Sequence, residues 1–136
     1  ARAQIRLELE PGLPPLVADR MMIEKVILNL ARNALESMQG VPPAARRLVV
    51  RARERAGEVE FQFCDCGCGV APELEGRLFQ PFVTTRPEGM GLGLAICRSI
   101  IEYHRGDMWF TRNPGGGSTF HFTLPAAAEV APPFTS

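Results

Sequence analysis

Five segments of the chain predict β-strands, and in the first and the last of them apolar and polar residues alternate with the period of a strand. The segments are residues 4–10, 48–53, 58–64, 108–111 and 118–124. A shorter apolar pair, Leu16-Val17, predicts one more short strand. In the first segment Ile5, Leu7 and Leu9 fall on one face, which predicts a half-buried strand.

Two segments instead carry apolar residues at helical spacing, and they predict helices over residues 20–38 and 92–104. Asp19 is a suitable N-cap for the first helix, and Gly40 with Pro42-Pro43 ends it. A short helical turn is expected over residues 72–78. The sum is an α+β fold, a two-layer α/β sandwich with a mixed, mostly antiparallel sheet and helices on one face.

Composition and charge fit one ordinary globular domain of 136 residues. Fifteen basic residues balance fifteen acidic ones, which gives no support for a nucleic-acid partner. No apolar run approaches the roughly 20 residues that cross a bilayer, so we expect no membrane insertion. The chain starts almost inside a strand and without methionine, which indicates a fragment of a longer protein. We expect a domain over residues 1–125 and a flexible Pro/Ala-rich tail over residues 126–136.

Two polar patterns could carry chemistry. Asn29 and Asn33 are four residues apart on the first helix, so they project from one side, near the apolar stripe. Gly89, Gly91 and Gly93 lead into the second helix, where close backbone approach and unpaired N–H groups would cradle phosphate. Taken alone, the first pattern is also compatible with two surface asparagines and the second with a flexible turn.

Three cysteines alternate with one acid and two glycines in the stretch CDCGCG, residues 64–69. This is either a thiol site or an Asp-x-Gly-x-Gly loop with cysteine in its variable positions. Structural zinc usually takes four ligands at Cys-x₂₋₄-Cys spacing, and no second pair lies nearby, so a metal site is disfavoured. A redox role for an exposed Cys66 or Cys68 stays open. Such crowded thiols also make a poor disulfide framework, which favours a reducing cytoplasm.

The motifs occur in an order that resembles the catalytic and ATP-binding domain of sensor histidine kinases, which has the Bergerat fold of the GHKL superfamily. NLARNA at residues 29–34 resembles the N box, residues 65–69 the G1 box, residues 79–82 the F box and residues 89–94 the G2 box. Residues 115–120 look like the last glycine box. The stretch PFVTTRPEGMGLGLAICRSIIE resembles the short-lid subgroup, which includes oxygen- and nitrogen-responsive kinases.

The resemblance implies a role for each matching residue. Asp65 would accept a hydrogen bond from the adenine amino group, Gly67 and Gly69 would let the base lie against the loop, and Thr119 would join the water network around it. Asn33 would hold Mg²⁺ through its side-chain oxygen, with Asn29 near the phosphates.

The resemblance places further ATP-binding positions in the lid and the glycine segment. Arg86 would reach a terminal phosphate, which makes Asn29, Asn33 and Arg86 the expected catalytic set. Phe79 and Phe82 would anchor the lid, and plain core packing is compatible with that. The remaining expected ATP contacts are Phe82, Thr84, Thr85, Gly89, Met90, Gly91, Leu92, Gly93 and Leu94.

The residue type at position 29 distinguishes the histidine kinases of this superfamily from its ATPases. Related ATPases carry a water-activating glutamate there, whereas an asparagine cannot act as a general base. The sequence therefore favours phosphoryl transfer to a histidine. His104 and His121 both look structural, so the acceptor is expected on a separate upstream dimerisation domain, with a response regulator downstream. A nucleotide-binding module without transfer activity and a cysteine-based redox or metal sensor are the alternatives.

Overall fold

The computed structural model describes residues 3–69, 72–80 and 93–127. Along the chain these form β1 (Gln4–Leu9), α1 (Arg20–Ser37), β2 (Arg47–Arg55), β3 (Glu58–Asp65), α2 (Gly93–Tyr103), β4 (Met108–Arg112) and β5 (Ser118–Pro125). Two short 3₁₀ turns cover Pro43–Ala45 and Pro72–Arg77.

Within the described residues, the sheet has five strands in the order β1-β2-β3-β5-β4. Among these strands β1 and β2 run parallel, and the other neighbouring pairs are antiparallel. The predicted α+β sandwich with a mixed, mostly antiparallel sheet is confirmed. The predicted short strand at Leu16-Val17 is instead a single antiparallel bridge between Leu16 and Ala126.

The core lies between α1, α2 and one face of the sheet. Val26, Leu30 and Ala34, four residues apart on α1, are buried, and so is Met38, the residue that follows the helix. Alternate residues of β5 face these helices, because side chains along a strand point to opposite faces. The buried set includes Val26, Leu30, Ala34, Met38, Phe63, Cys97, Ile101, Phe120, Phe122 and Leu124.

The prediction that β1 is half-buried was wrong. Ile5, Leu7 and Leu9 are 57%, 64% and 57% exposed. The register places them on the same face as the helix-facing residues of β2. However, β1 lies at the edge of the sheet, whereas α1 packs against α2 and the more central strand β3.

The side chain of one histidine connects the end of α2 to the beginning of α1 through hydrogen bonds. Asp19 caps α1 as predicted, because its side chain accepts a hydrogen bond from the Met22 amide at 3.0 Å. The Asp19 amide in turn donates to Nε2 of His104 at 3.0 Å. Nδ1 of His104 lies 2.8 Å from the Ile100 carbonyl oxygen. This histidine therefore links the end of α2 to the beginning of α1.

The last described residues return to the body of the domain. The Ala126 amide donates to the Gly57 carbonyl at 3.0 Å, and the Ala127 amide donates to Pro15 at 2.8 Å. The expected tail over residues 126–136 stays a prediction beyond these two positions. Among the described helices, none is both long and apolar enough to cross a membrane.

Candidate functional site

Asp65 ends β3 as a buried carboxylate, with 4% of its surface exposed. Its Oδ1 accepts hydrogen bonds from the Gly67 amide at 2.9 Å and the Ser118 amide at 3.2 Å. Burial raises the pKa of the Asp65 carboxyl above its ordinary value, although hydrogen bonds from Gly67, Ser118 and Ser37 act in the opposite direction. The carboxyl is thus a fixed acceptor that water reaches only slightly.

The loop after Asp65 is pressed against the end of α1. The Cys68 amide donates to the Ser37 carbonyl at 3.1 Å. A Cβ on Gly67 would overlap both the hydroxyl and the carbonyl oxygen of Ser37, so no larger residue fits there. Gly69 has a φ of +78°, a conformation that glycine adopts readily. The two positions of the Asp-x-Gly-x-Gly frame therefore favour glycine for different reasons, close packing against Ser37 at Gly67 and a positive φ at Gly69.

Asn29 faces the beginning of α2. Its Nδ2 donates to the Lys25 carbonyl at 3.0 Å, and its Oδ1 lies 3.5 Å from the position that a Cβ would take on Gly93. Asn33 is half-buried one turn further along α1, and Ser37 follows after another turn. Residues four apart lie on the same side of a helix. Asn29, Asn33 and Ser37 therefore form a polar row from the start of α2 to the Asp65 loop.

The structure does not bring the Thr119 side chain to Asp65. Its hydroxyl donates to Oδ1 of Asn113 at 2.5 Å, and its strand partners are Cys64 and Thr111, on the sheet face opposite the helices. Ser118 contacts Asp65 instead, through its amide. Strand alternation could have revealed this: with Phe120 in the core, the residue two before it shares its face and Thr119 does not.

Phe79, an expected anchor of the lid, and Leu94, an expected ATP contact, are partly buried and pack against the core. Phe79 meets Phe120 edge-on with ring centroids 6.3 Å apart, and the Arg98 guanidinium lies 4.9 Å from the Phe79 ring centroid. Leu94 packs against the core cluster. The other predicted lid and glycine-segment positions lie outside the described residues; they are Phe82, Thr84, Thr85, Arg86, Gly89, Met90, Gly91 and Leu92.

The cysteines have separate surroundings. Cys66 is half-buried with its Sγ 3.4 Å from the Met38 sulfur, Cys64 accepts a bond from Asn113 at 3.4 Å, and Cys68 is exposed. Burial raises the pKa of the Cys97 thiol to about 12. Across residues 3–69, 72–80 and 93–127, no group of three His, Cys, Asp or Glu side chains is placed to hold a metal ion. A redox role for the exposed thiol stays a prediction.

Comparison with known proteins agrees with this geometry. Residues 18–128 match the family described as histidine kinase-, DNA gyrase B-, and HSP90-like ATPase. The chain belongs to this family. The resemblance stated from the motif order is therefore confirmed.

Among curated proteins, the sensor protein FixL of Bradyrhizobium diazoefficiens is 47% identical over 127 residues, which cover 93% of this chain and 25% of FixL. The C4-dicarboxylate transport sensor protein DctS of Rhodobacter capsulatus is 40% identical over 131 residues, or 96% of this chain and 20% of DctS. The chain thus spans a quarter or less of the length of these relatives.

Solved histidine kinase structures share the fold. The catalytic domain of histidine kinase ThkA, in a nucleotide-free form, superposes with a TM-score of 0.79 at 30% identity, covering 91% of this chain and 79% of that domain. Full-length ShkA in complex with AMPPNP superposes with a TM-score of 0.78 at 30% identity, over 96% of this chain and 27% of ShkA.

Proposed function

We propose that this chain is the ATP-binding catalytic domain of a sensor histidine kinase, which transfers the γ-phosphoryl group of ATP to a histidine on a separate upstream dimerisation domain. The observation that carries the proposal is the polar row Asn29, Asn33 and Ser37. It joins the two elements that such a domain needs, a helix N-terminus at Gly93 and a buried acceptor at Asp65. The AMPPNP complex of ShkA supports an adenine nucleotide as ligand.

Asp65 accounts for recognition of adenine in this proposal. The Gly67 and Ser118 amides fix the carboxylate through its Oδ1, and the carboxylate would accept a hydrogen bond from the adenine amino group. Guanine has a carbonyl oxygen at that position, so two acceptors would be opposed, which costs binding energy. Gly67 and Gly69 keep side chains out of the way of the base.

The phosphates would lie along Asn29, Asn33 and the start of α2, where the first amides of a helix are electropositive. The Asn33 side chain offers an amide oxygen of the kind that Mg²⁺ prefers, and the bound cation would neutralise charge on the phosphates. Asn29 binds without activating water, because an amide is not a base at neutral pH. Arg86 and the lid residues would complete the phosphate contacts.

Both histidines of this chain already use their ring nitrogens in structural hydrogen bonds, which bears on where the phosphoryl acceptor lies. The ring nitrogens of His104 are used between the helices, and those of His121 lie 2.9 Å from Glu60 and 2.8 Å from Thr111. The acceptor is therefore expected on the upstream dimerisation domain. A response regulator as downstream partner is supported by the structure of ThkA in complex with the response regulator protein TrrA, which superposes with a TM-score of 0.73. The free cysteines fit the cytoplasm.

Transfer of radiolabelled γ-phosphate tests the proposal. The isolated chain is expected to bind Mg·ATP, to remain unlabelled and to release phosphate very slowly. A dimerisation domain with an acceptor histidine should become labelled in trans, and its His→Ala variant should not. Asn33→Ala should abolish the label while circular dichroism shows an intact fold. Rapid phosphate release without the second domain would instead identify an ATPase.

A further inference from the structure

The turn between β4 and β5, residues 113–117, contacts Asp65 from its backbone side. Nδ2 of Asn113 donates to the Asp65 carbonyl oxygen at 2.8 Å. Gly117, with a φ of +95°, lies so close that a Cβ there would overlap the same carbonyl oxygen. The next residue, Ser118, donates its amide to the Asp65 carboxylate at 3.2 Å. The backbone of Asp65 is thus held by this turn, and its side chain by the residue that directly follows the turn.

Asn113 is itself fixed on every side. Its side-chain Oδ1 accepts a hydrogen bond from the Thr119 hydroxyl at 2.5 Å. Its backbone amide donates to the Gly117 carbonyl at 3.1 Å, and its backbone carbonyl accepts a hydrogen bond from the Gly116 amide at 3.1 Å. The orientation of the side-chain amide is unambiguous, because a backbone carbonyl can only accept and Nδ2 must therefore face Asp65. In this arrangement the Thr119 hydroxyl donates to the remaining oxygen.

We propose that Asn113 is a positioning residue for base recognition, which acts by fixing the peptide group of Asp65 and with it the direction of the carboxylate. The inference rests on the proposed function, since it assigns a second residue to the adenine contact of Asp65. Thr119 then contributes to recognition indirectly, through Asn113, from the opposite face of the sheet. A hydrogen bond to the base tolerates little misdirection, because its strength falls steeply with angle.

The test compares two nucleotides that differ only in the amino group. Competition against a fluorescent ATP analogue gives the dissociation constants of ATP and of purine riboside triphosphate, which lacks the 6-amino group. Asn113→Asp replaces the donor by an oxygen that faces the Asp65 carbonyl. We expect ATP to bind about tenfold more weakly, the equivalent of one hydrogen bond of about 1.4 kcal/mol. Purine riboside triphosphate should change by less than about twofold, a difference of only a few tenths of a kcal/mol.

Two further variants complete the design. Thr119→Val removes only the hydroxyl that holds Asn113, and it should lower the preference for ATP in the same direction by a smaller factor. Gln4→Glu is the matched control, since it makes the same amide-to-acid change at an exposed position of β1, and it should leave both constants unaltered. If Asn113→Asp does not fold, Thr119→Val decides the question alone.

The outcomes separate this inference from the proposed function. If the wild-type chain binds no ATP, the proposed function fails. If the wild type prefers ATP and the folded variants keep the same preference, only the role of Asn113 is overturned. An equal loss for both nucleotides shows a merely structural role and also overturns it.

Discussion

Glu60 shows how a single acidic residue is accommodated inside a sheet. It is 4% exposed, on the face opposite the helices, and it accepts hydrogen bonds from Gln62 and His121, both at 2.9 Å. The guanidinium groups of Arg53 and Arg55 lie 3.5 and 3.3 Å from its Oε1. Burial alone would raise the pKa of Glu60, but hydrogen bonds from Gln62, His121 and Arg55 and the charge of Arg53 together lower it to about 2.

The lowered pKa makes Glu60 a source of pH-dependent stability. A carboxyl that ionises more readily when folded stabilises the fold above its unfolded pKa of about 4.3, and this stability is lost as the pH falls towards 2. Glu60→Gln should lower the free energy of unfolding at pH 7 by about 1–3 kcal/mol. In urea denaturation, the difference in free energy of unfolding between wild type and variant should shrink as the pH is lowered from 7 to 2.5.

The control for this variant is Glu58→Gln, at a less buried position of the same strand, which should change stability by less than about 0.5 kcal/mol. An effect of Glu60→Gln that is constant down to pH 2.5 would contradict the assignment of the stability to an ionised carboxylate.

At the scale of elements, the turn of the β2–β3 hairpin places an alanine in a backbone conformation that alanine disfavours. Its two turn residues, Ala56 and Gly57, have φ values of +53° and +82°. Two-residue turns with positive φ at both positions match the twist of the strands, but they favour asparagine followed by glycine. An alanine in the left-handed region costs about 1 kcal/mol or more.

Ala56→Asn should therefore raise the free energy of unfolding, by about 0.5–1 kcal/mol, because asparagine tolerates the left-handed conformation better. Thermal and urea denaturation would measure the gain. The same substitution at Ala44, in the Pro43–Ala45 turn on the surface, should give none. A neutral or destabilising result at position 56 would mean that the turn conformation is not a source of strain.

At the scale of the whole molecule, the position of an element in the fold decides which of its apolar residues are buried. Leu7 and Leu30 both belong to regular apolar patterns, yet Leu7 is 64% exposed and Leu30 is 1% exposed. We expect Leu30→Ala to cost about 2–5 kcal/mol, from lost burial and a residual cavity. Leu7→Ala should cost less than about 1 kcal/mol. A comparable loss for both variants in urea denaturation would show that another part of the protein covers β1.

Much of the fold follows from the sequence, because it depends on local chemistry. The period of the apolar residues determines α1 and α2, the Asp19 cap determines where α1 begins, and Ala56-Gly57 joins two strands that pair with their nearest neighbour in the chain. The order of the asparagine and glycine motifs is likewise a property of the sequence, and it was sufficient to recognise the family.

Only the tertiary structure decided which of these residues meet. Asn29 reaches Gly93 across 64 positions because α1 packs against α2, and Asn113 reaches Asp65 because β5 pairs with β3. The exposure of β1 likewise depends on strand order. These are non-local pairings, fixed by which elements bury their apolar faces together, and no local pattern records them.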